Sequence, residues 1–257
     1  MSSLRQPAIF FGHGSPMNAL EENNFTRAWA ELGQRFARPK AILMISAHWM
    51  TNQVAVTAMQ QPQSIHDFGG FPPALFAMQY PAAGSPELAA RVAQLLAPLR
   101  VVQDQTWGLD HGTWSVLAKV YPQANVPVVQ LSLNMNEAPA FHYELGRQLS
   151  VIRDEGVMLM ASGNVVHNLR QLNPSVRAYD WAERFDSLIR DTVLAGQFEQ
   201  IVQFDQLGMD ARLSIPSTEH FLPLLYILGA KREEDKTEIF CNELAMGSIS
   251  MTSYLFH

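Results

Sequence analysis

Cysteine is nearly absent: the 257 residues include one, Cys241. A lone thiol cannot close an internal disulfide, so nothing in the chain requires an oxidising compartment. Long apolar runs are missing too. The longest, such as 41–46 and 157–161, fall far short of the roughly 20 residues that a membrane-spanning helix needs. No stretch of signal-peptide length precedes the first strand-like segment, so a cytoplasmic location away from membranes is expected. Positive charge is in deficit, with 18 Lys+Arg against 24 Asp+Glu and a formal net charge of −6. Nucleic-acid affinity rests on cationic side chains, so this balance argues against such a partner. Gly and Pro, 15 each, exclude collagen-like and low-complexity chains, while 47% hydrophobic residues and five Trp exclude disorder. What remains is a globular chain long enough for one sizeable core.

Strand-like and helix-like segments alternate along the whole sequence. Segment 7–11 is a short apolar run stopped by Gly12, and 40–47 is the clearest buried strand, with 53–59 expected beside it. Further strands are expected at 101–103, 126–133 and 157–162, with closing strands at 238–240 and 248–255. Helical spacing marks 24–36, 86–99, 113–121, 138–154, 181–194 and 219–228. In segment 181–194, Trp181, Phe185, Leu188, Ile189 and Val193 fall on one stripe. The alternation predicts a single three-layer α/β domain over residues 1–257, its central mostly parallel or mixed sheet covered by helices on both faces. The Pro- and Gly-containing stretch 61–84 reads as an elaborated loop, and loops of that length in a compact domain are usually functional.

The histidines carry the chemistry through their placement. His13 follows the first strand, His48 follows the strand 41–47, and His167 lies just past the strand 157–161. Ligands of open α/β sheets bind outside the carboxyl ends of the strands. Three strands therefore deliver imidazoles to the edge where such folds place their sites. His111 lies in a loop entering a helix, and His220 opens another helix. Neutral imidazole is the commonest metal ligand near neutral pH and suits both Zn and Fe(II). A single histidine after a strand is usually an end cap; three in equivalent positions make a mononuclear metal site the better reading. For His66 the two readings balance, while His142 and His257 read as ordinary structural residues. Trp49, Phe68, Phe71, Trp107 and Trp114 flank these positions, where packing of an aromatic substrate and plain core packing are equal readings. Other motifs fail. Met17 occupies the third glycine position of a dinucleotide fingerprint, and Met160 and Asn164 flank Ser162 where a nucleophile elbow needs glycine.

Six segments, Phe11-Gly-His-Gly-Ser-Pro-Met17, Ser46-Ala-His-Trp49, Ile65-His-Asp-Phe-Gly-Gly-Phe71, Gly108-Leu-Asp-His-Gly112, Ala161-Ser-Gly-Asn-Val-Val-His-Asn168 and Glu219-His-Phe-Leu-Pro-Leu-Leu-Tyr226, resemble the 4,5-DOPA extradiol dioxygenase family. That family belongs to the class III extradiol ring-cleaving dioxygenases, which are similar to the β subunit of protocatechuate 4,5-dioxygenase. The resemblance spans nearly the whole chain and implies a non-haem metal in a cleft at the strand ends. By position, His13, His48 and His220 match metal ligands, and His167 matches a residue at or beside the metal. His111 matches a second active-site histidine that handles protons during ring opening.

The wider class uses two His and one Glu, so Glu219 stands as the alternative to His220. Neighbouring residues on a helix point about 100° apart, which disfavours both binding one ion. The implied reaction inserts both atoms of O2 into a catechol such as L-DOPA, with 4,5-cleavage. His111 and His167 serve as proton-handling residues, unless His167 is itself a ligand. Fe(II) is the metal expected for that activity and Zn(II) the one expected in purified protein. The expected partners are a small catechol and O2, with a monomer or small homo-oligomer as the assembly. Two other readings use the same histidines: a zinc hydrolase, in which bound water is activated, and a non-catalytic metal-binding adaptor.

Overall fold

The computed structural model describes residues 5–257. Four parallel strands form the middle of its main sheet: β1 (Ala8–Gly12), β2 (Ala41–Thr51), β5 (Val128–Asn134) and β6 (Val157–Gly163). They are nearly continuous apolar runs because helices cover both of their faces. On one flank β3 (Ala55–Thr57) pairs antiparallel with β5 and parallel with β4 (Val102–Asp104). On the other, β10 (Ser253–Phe256) pairs antiparallel with β1 and with β7 (Thr237–Phe240). The order is β4-β3-β5-β2-β6-β1-β10-β7, a mixed sheet. A separate two-stranded ribbon joins β8 (Leu244–Ala245) to β9 (Ile249–Ser250).

Successive strand residues point to opposite faces, and this period of two divides the core. Phe10, Leu43, Ile45, Leu131 and Leu159 face α3 (Pro86–Leu95), α5 (Pro139–Leu149), α6 (Asp180–Leu194), α7 (Phe198–Val202), α8 (Met209–Ser214) and α9 (Leu222–Ala230). Ile9, Phe11, Ile42, Met44 and Met160 face α1 (Asn24–Arg35) and α4 (His111–Val120), where Trp29 and Trp114 are wholly buried; α2 (Pro73–Phe76) adds Leu75 to this layer. α1 starts on a reciprocal cap: Asn23 accepts from the Thr26 backbone N–H, and Thr26 Oγ1 accepts from the Asn23 N–H. α9 is apolar on every side and buried throughout, lying between α5 and the sheet. α5 comes so close at Gly146 that a Cβ there would sit 2.2 Å from the Tyr226 carbonyl oxygen. Arg153, fully buried, ties the chain ends together. Its guanidinium donates to the carbonyls of Gln6, Ala230 and Phe256 and, through two nitrogens, to the Asp235 carboxylate.

The structure departs from the sequence expectations at several places. Segment 53–59 does not lie beside β2, because β5 is inserted between β2 and β3. β2 itself runs on to Thr51, past His48, with a register irregularity between Ile45 and Met50. The closing segment 248–255 splits into β9 and β10, which belong to different sheets. Leu188, placed on the buried stripe of α6, is 42% exposed. The last helix begins at Leu222, so His220 sits in the turn before it rather than opening it. Among the described residues no helix is long and apolar enough to cross a membrane.

Candidate active site

Each histidine reaches the carboxyl edge of the parallel strands by a different device. His13 is the residue after β1, and its N–H donates to the Gly163 carbonyl at the end of β6. His48 lies within β2, at the irregularity that breaks pairing with β5. Such bulges re-aim side chains next to functional sites. His111 is the first residue of α4, whose N-cap, Asp110, accepts from the Thr113 N–H. His167 follows β6 by four residues and bridges to Ile249. His220 is held in its turn by its own carbonyl, which accepts the Asn164 N–H at 2.8 Å.

The side chains of His13, His48 and His220 converge. One nitrogen from each lies within 4.8 Å of the others, and the Nε2 atoms of His13 and His48 are 3.2 Å apart. The second nitrogen of each ring faces an oxygen. His13 Nδ1 is 2.8 Å from Ser162 Oγ, His48 Nδ1 is 3.5 Å from Asp67 Oδ2, and His220 Nδ1 is 3.2 Å from Glu219 Oε1. An outer oxygen on one nitrogen fixes the ring and leaves the other nitrogen's lone pair free, which is how metal-binding imidazoles are held. Gly112 makes room for this packing: a Cβ there would lie 2.6 Å from Ser46 Oγ and 2.8 Å from His48 Cδ2.

Burial, and then the proximity of the other imidazoles, hold His13 and His220 well below the ordinary range. The same two causes, burial first and His111 next, bring His48 down to about 3, with Asp67 opposing them. Burial also lowers His167 to about 4, against the pull of Glu219. These rings are neutral at pH 7 and can donate a lone pair to a cation. Burial raises the Asp67 carboxyl, but its hydrogen bonds and charge interaction with His111, helped by His48, outweigh that and leave it ionised.

Asp67 is the residue that sequence reasoning gave no role. Its Oδ1 accepts the His111 backbone N–H at 2.9 Å and lies 2.9 Å from His111 Nδ1, out of line with that ring's N–H direction. Its other oxygen faces His48, so one carboxylate from the loop 61–84 touches two site histidines from other elements. The adjacent His66 points away, with Nε2 2.8 Å from the Met78 carbonyl. Ser162, rejected as a nucleophile, supports His13. Glu219 and His220 share a turn and contact one another, so the helical 100° argument does not apply to them. A second group of possible ligand atoms comprises His167, Glu219 and His220. The His167 ring stacks on His220 with centroids 3.4 Å apart and planes 8° from parallel.

A cleft of about 420 Å³ opens over these histidines. Phe68, Phe71, Leu169, Leu172, Met246 and Ile249 supply its apolar walls, and among the described residues no Lys or Arg lines it. Phe68 stands edge-on to His111, centroids 5.5 Å apart. The tryptophans take the packing alternative. Trp49 is buried and stacks on Trp107 outside the cleft, and Trp114 sits in the core with Nε1 donating to the Ile65 carbonyl. His142 is buried against Tyr226, and His257 pairs with Glu238 at the far end of β10.

Residues 7–257 match the family model described as the catalytic LigB subunit of aromatic ring-opening dioxygenase. The chain is 50% identical over 258 residues to the 4,5-DOPA dioxygenase extradiol of Escherichia coli K12, covering 98% of this chain and 95% of that one. It is 38% identical over 257 residues to the protein of the same name from Beta vulgaris, covering 96% and 95%. The crystal structure of an uncharacterized protein from Escherichia coli K12 superposes with a TM-score of 0.87 at 42% identity, covering 98% of this chain and all of that one. A mixed α/β sheet that gathers five histidines beneath an apolar cleft thus has close kin in both sequence and shape, and the chain belongs to the LigB-type aromatic ring-opening dioxygenases.

Proposed function

We propose that this chain is a single catalytic domain that cleaves a catechol such as L-DOPA at the 4,5 position, beside the diol, incorporating both atoms of O2. The observation that carries the reading is the convergence of His13, His48 and His220 at the floor of an apolar cleft, each with its outer nitrogen already facing an oxygen. Three neutral nitrogen donors on one side of an open cleft fit a divalent transition metal with free coordination positions. Fe(II) held by His13, His48 and His220 would supply the redox chemistry with O2 that Zn(II) lacks.

The remaining steps belong to the protein. The apolar walls sandwich the aromatic ring and exclude water. Asp67 holds the His111 backbone at the cleft edge and lies 2.9 Å from Nδ1, and the His111 imidazole is assigned to accept a proton from a catechol hydroxyl and return it during ring opening. His167 is assigned to proton handling beside His111. Its ring stacks parallel on that of His220 and is not one of the three that converge, those of His13, His48 and His220.

The same three-histidine set also suits a hydrolytic zinc, and one experiment separates the two. Metal-free protein is reconstituted anaerobically with Fe(II) or with Zn(II), then given L-DOPA and air while O2 uptake and the visible spectrum are followed. The expected result is a yellow ring-opened product with stoichiometric O2 consumption in the iron form alone. Tight metal binding without O2 uptake across a panel of catechols would refute the dioxygenase reading and favour a hydrolase.

A further inference from the structure

Among the described residues the main cleft is lined by no Lys or Arg with which to meet a carboxylate. Beside it lies a second hollow of about 180 Å³, which shares His167 and Leu169 with the cleft and is lined by Arg170, Ser217 and Glu219. We propose that this polar annex receives the charged end of an amino-acid catechol, with Arg170 binding the α-carboxylate and Glu219 the α-ammonium. The proposal rests on the dioxygenase reading and specifies the substrate class of that same site.

The annex is built on a fixed platform. Buried Asn168 donates through Nδ2 to the Leu213 carbonyl and through its backbone N–H to the Ser248 carbonyl, while Ser248 Oγ donates back to the Asn168 carbonyl. Asn168 Oδ1 then accepts the Arg170 backbone N–H at 3.1 Å, capping the short helical turn that carries the arginine. Although its backbone is tied down, the Arg170 guanidinium makes no hydrogen bond or ion pair among the described residues. A planar fork of donors in a hollow adjoining an acidic protein's apolar cleft suits a carboxylate in a two-point contact.

In the same hollow, Glu219 Oε1 accepts from Ser217 Oγ at 2.8 Å and faces His220. Its Oε2 keeps its lone pairs for an ammonium. An alkyl catechol would use the cleft and leave the annex to water. A zwitterionic one gains a contact of each sign beside the cleft.

The test measures binding and turnover separately. Zn(II)-loaded wild type and Arg170→Ala are titrated calorimetrically, without oxygen, with L-DOPA and with 4-methylcatechol. Because Arg170 is exposed, the expected loss is at the low end for a charged hydrogen bond, about tenfold in L-DOPA affinity. Affinity for 4-methylcatechol should stay within about twofold, and Arg170→Lys should recover part of the loss. The Fe(II) enzymes should show the same split, mainly in KM for L-DOPA. Equal effects on both ligands, or no change for L-DOPA, would overturn the annex, as would a wild type that binds 4-methylcatechol and not L-DOPA. Failure of the dioxygenase reading would look different: no catechol would be oxygenated by any Fe(II) form, whatever the binding data gave.

Discussion

Removing the metal should make this protein acid-labile well above the pH at which carboxylates titrate. An imidazole whose folded pKa lies below its unfolded value leaves the unfolded state holding more protons as pH falls. The resulting penalty is absent above the ordinary imidazole value of 6.5 and grows as pH drops below it, until the folded pKa is reached. For His48 and His167 those folded values are about 3 and about 4.

At pH 5 both rings stay neutral in the folded chain while their unfolded counterparts are protonated. Each then costs about 2 kcal/mol, from 1.5 pH units at about 1.36 kcal/mol per unit. Together they remove about 4 kcal/mol, and His13 and His220, shifted the same way, add to it. Against a typical total stability of about 5–15 kcal/mol this is a large share. The assay is urea denaturation of chelator-treated protein at pH 5, 6, 7 and 8, followed by tryptophan fluorescence. The midpoint should fall steeply below pH 7 and hardly change above it. A His48→Gln/His167→Asn double variant should flatten that slope, while Zn(II) should raise the midpoint at pH 7 and protect less as protons compete for the ligands. A midpoint constant from pH 5 to pH 7, or one that rises on acidification, would refute the view that these rings are buried and neutral.

Exchanging His48 for Ala should abolish metal binding and activity together, whereas His111→Ala should retain metal and lose turnover; metal analysis beside O2 uptake distinguishes them, and equal metal loss would remove His111 from its proton-handling role. Asp67→Asn takes the carboxylate from both His48 and His111, and a drop of about 10- to 100-fold in metal affinity or activity is expected, measured by competitive zinc titration and by kcat. Gly112→Ala drives a methyl group into Ser46 Oγ and the His48 ring; a stability cost of about 1–3 kcal/mol with weakened metal binding should appear in parallel denaturation and titration curves. Asp235→Ala strands the buried Arg153 charge, which should cost about 3–5 kcal/mol by denaturation while leaving KM of the surviving folded fraction unchanged.

Much of this architecture can be read directly from residue order. The runs 7–11, 40–47, 126–133 and 157–162 are short and mainly apolar, and such segments fit the middle of a covered parallel sheet. The histidines after three of those runs, His13, His48 and His167, then fall near the edge where such sheets bind ligands, by topology alone. Spacing could not show where an edge strand inserts. β3 stands beside β5 because pairing partners are chosen across the whole sheet, and nothing within 53–59 encodes its neighbour. The same holds for His48, which is aimed by a break in β2 pairing that involves residues of β5 more than 80 positions away.

The site's chemistry divides along the same line. The sequence by itself determined which residue types are present: three imidazoles after strands and two at helix starts, a glycine beside His111, a single cysteine and a deficit of positive charge. Only the tertiary structure decided how they are wired. Asp67 came to face His48 and His111, and Ser162 to support His13, because those contacts join distant segments, while the turn before α9 set Glu219 against its neighbour His220. It also sent Trp49, Trp107 and Trp114 into packing and left Phe68 and Phe71 in the cleft. The reason is geometric: aromatic side chains carry the same hydrophobic drive on any element, and the sheet's packing selects which of them face solvent-accessible space.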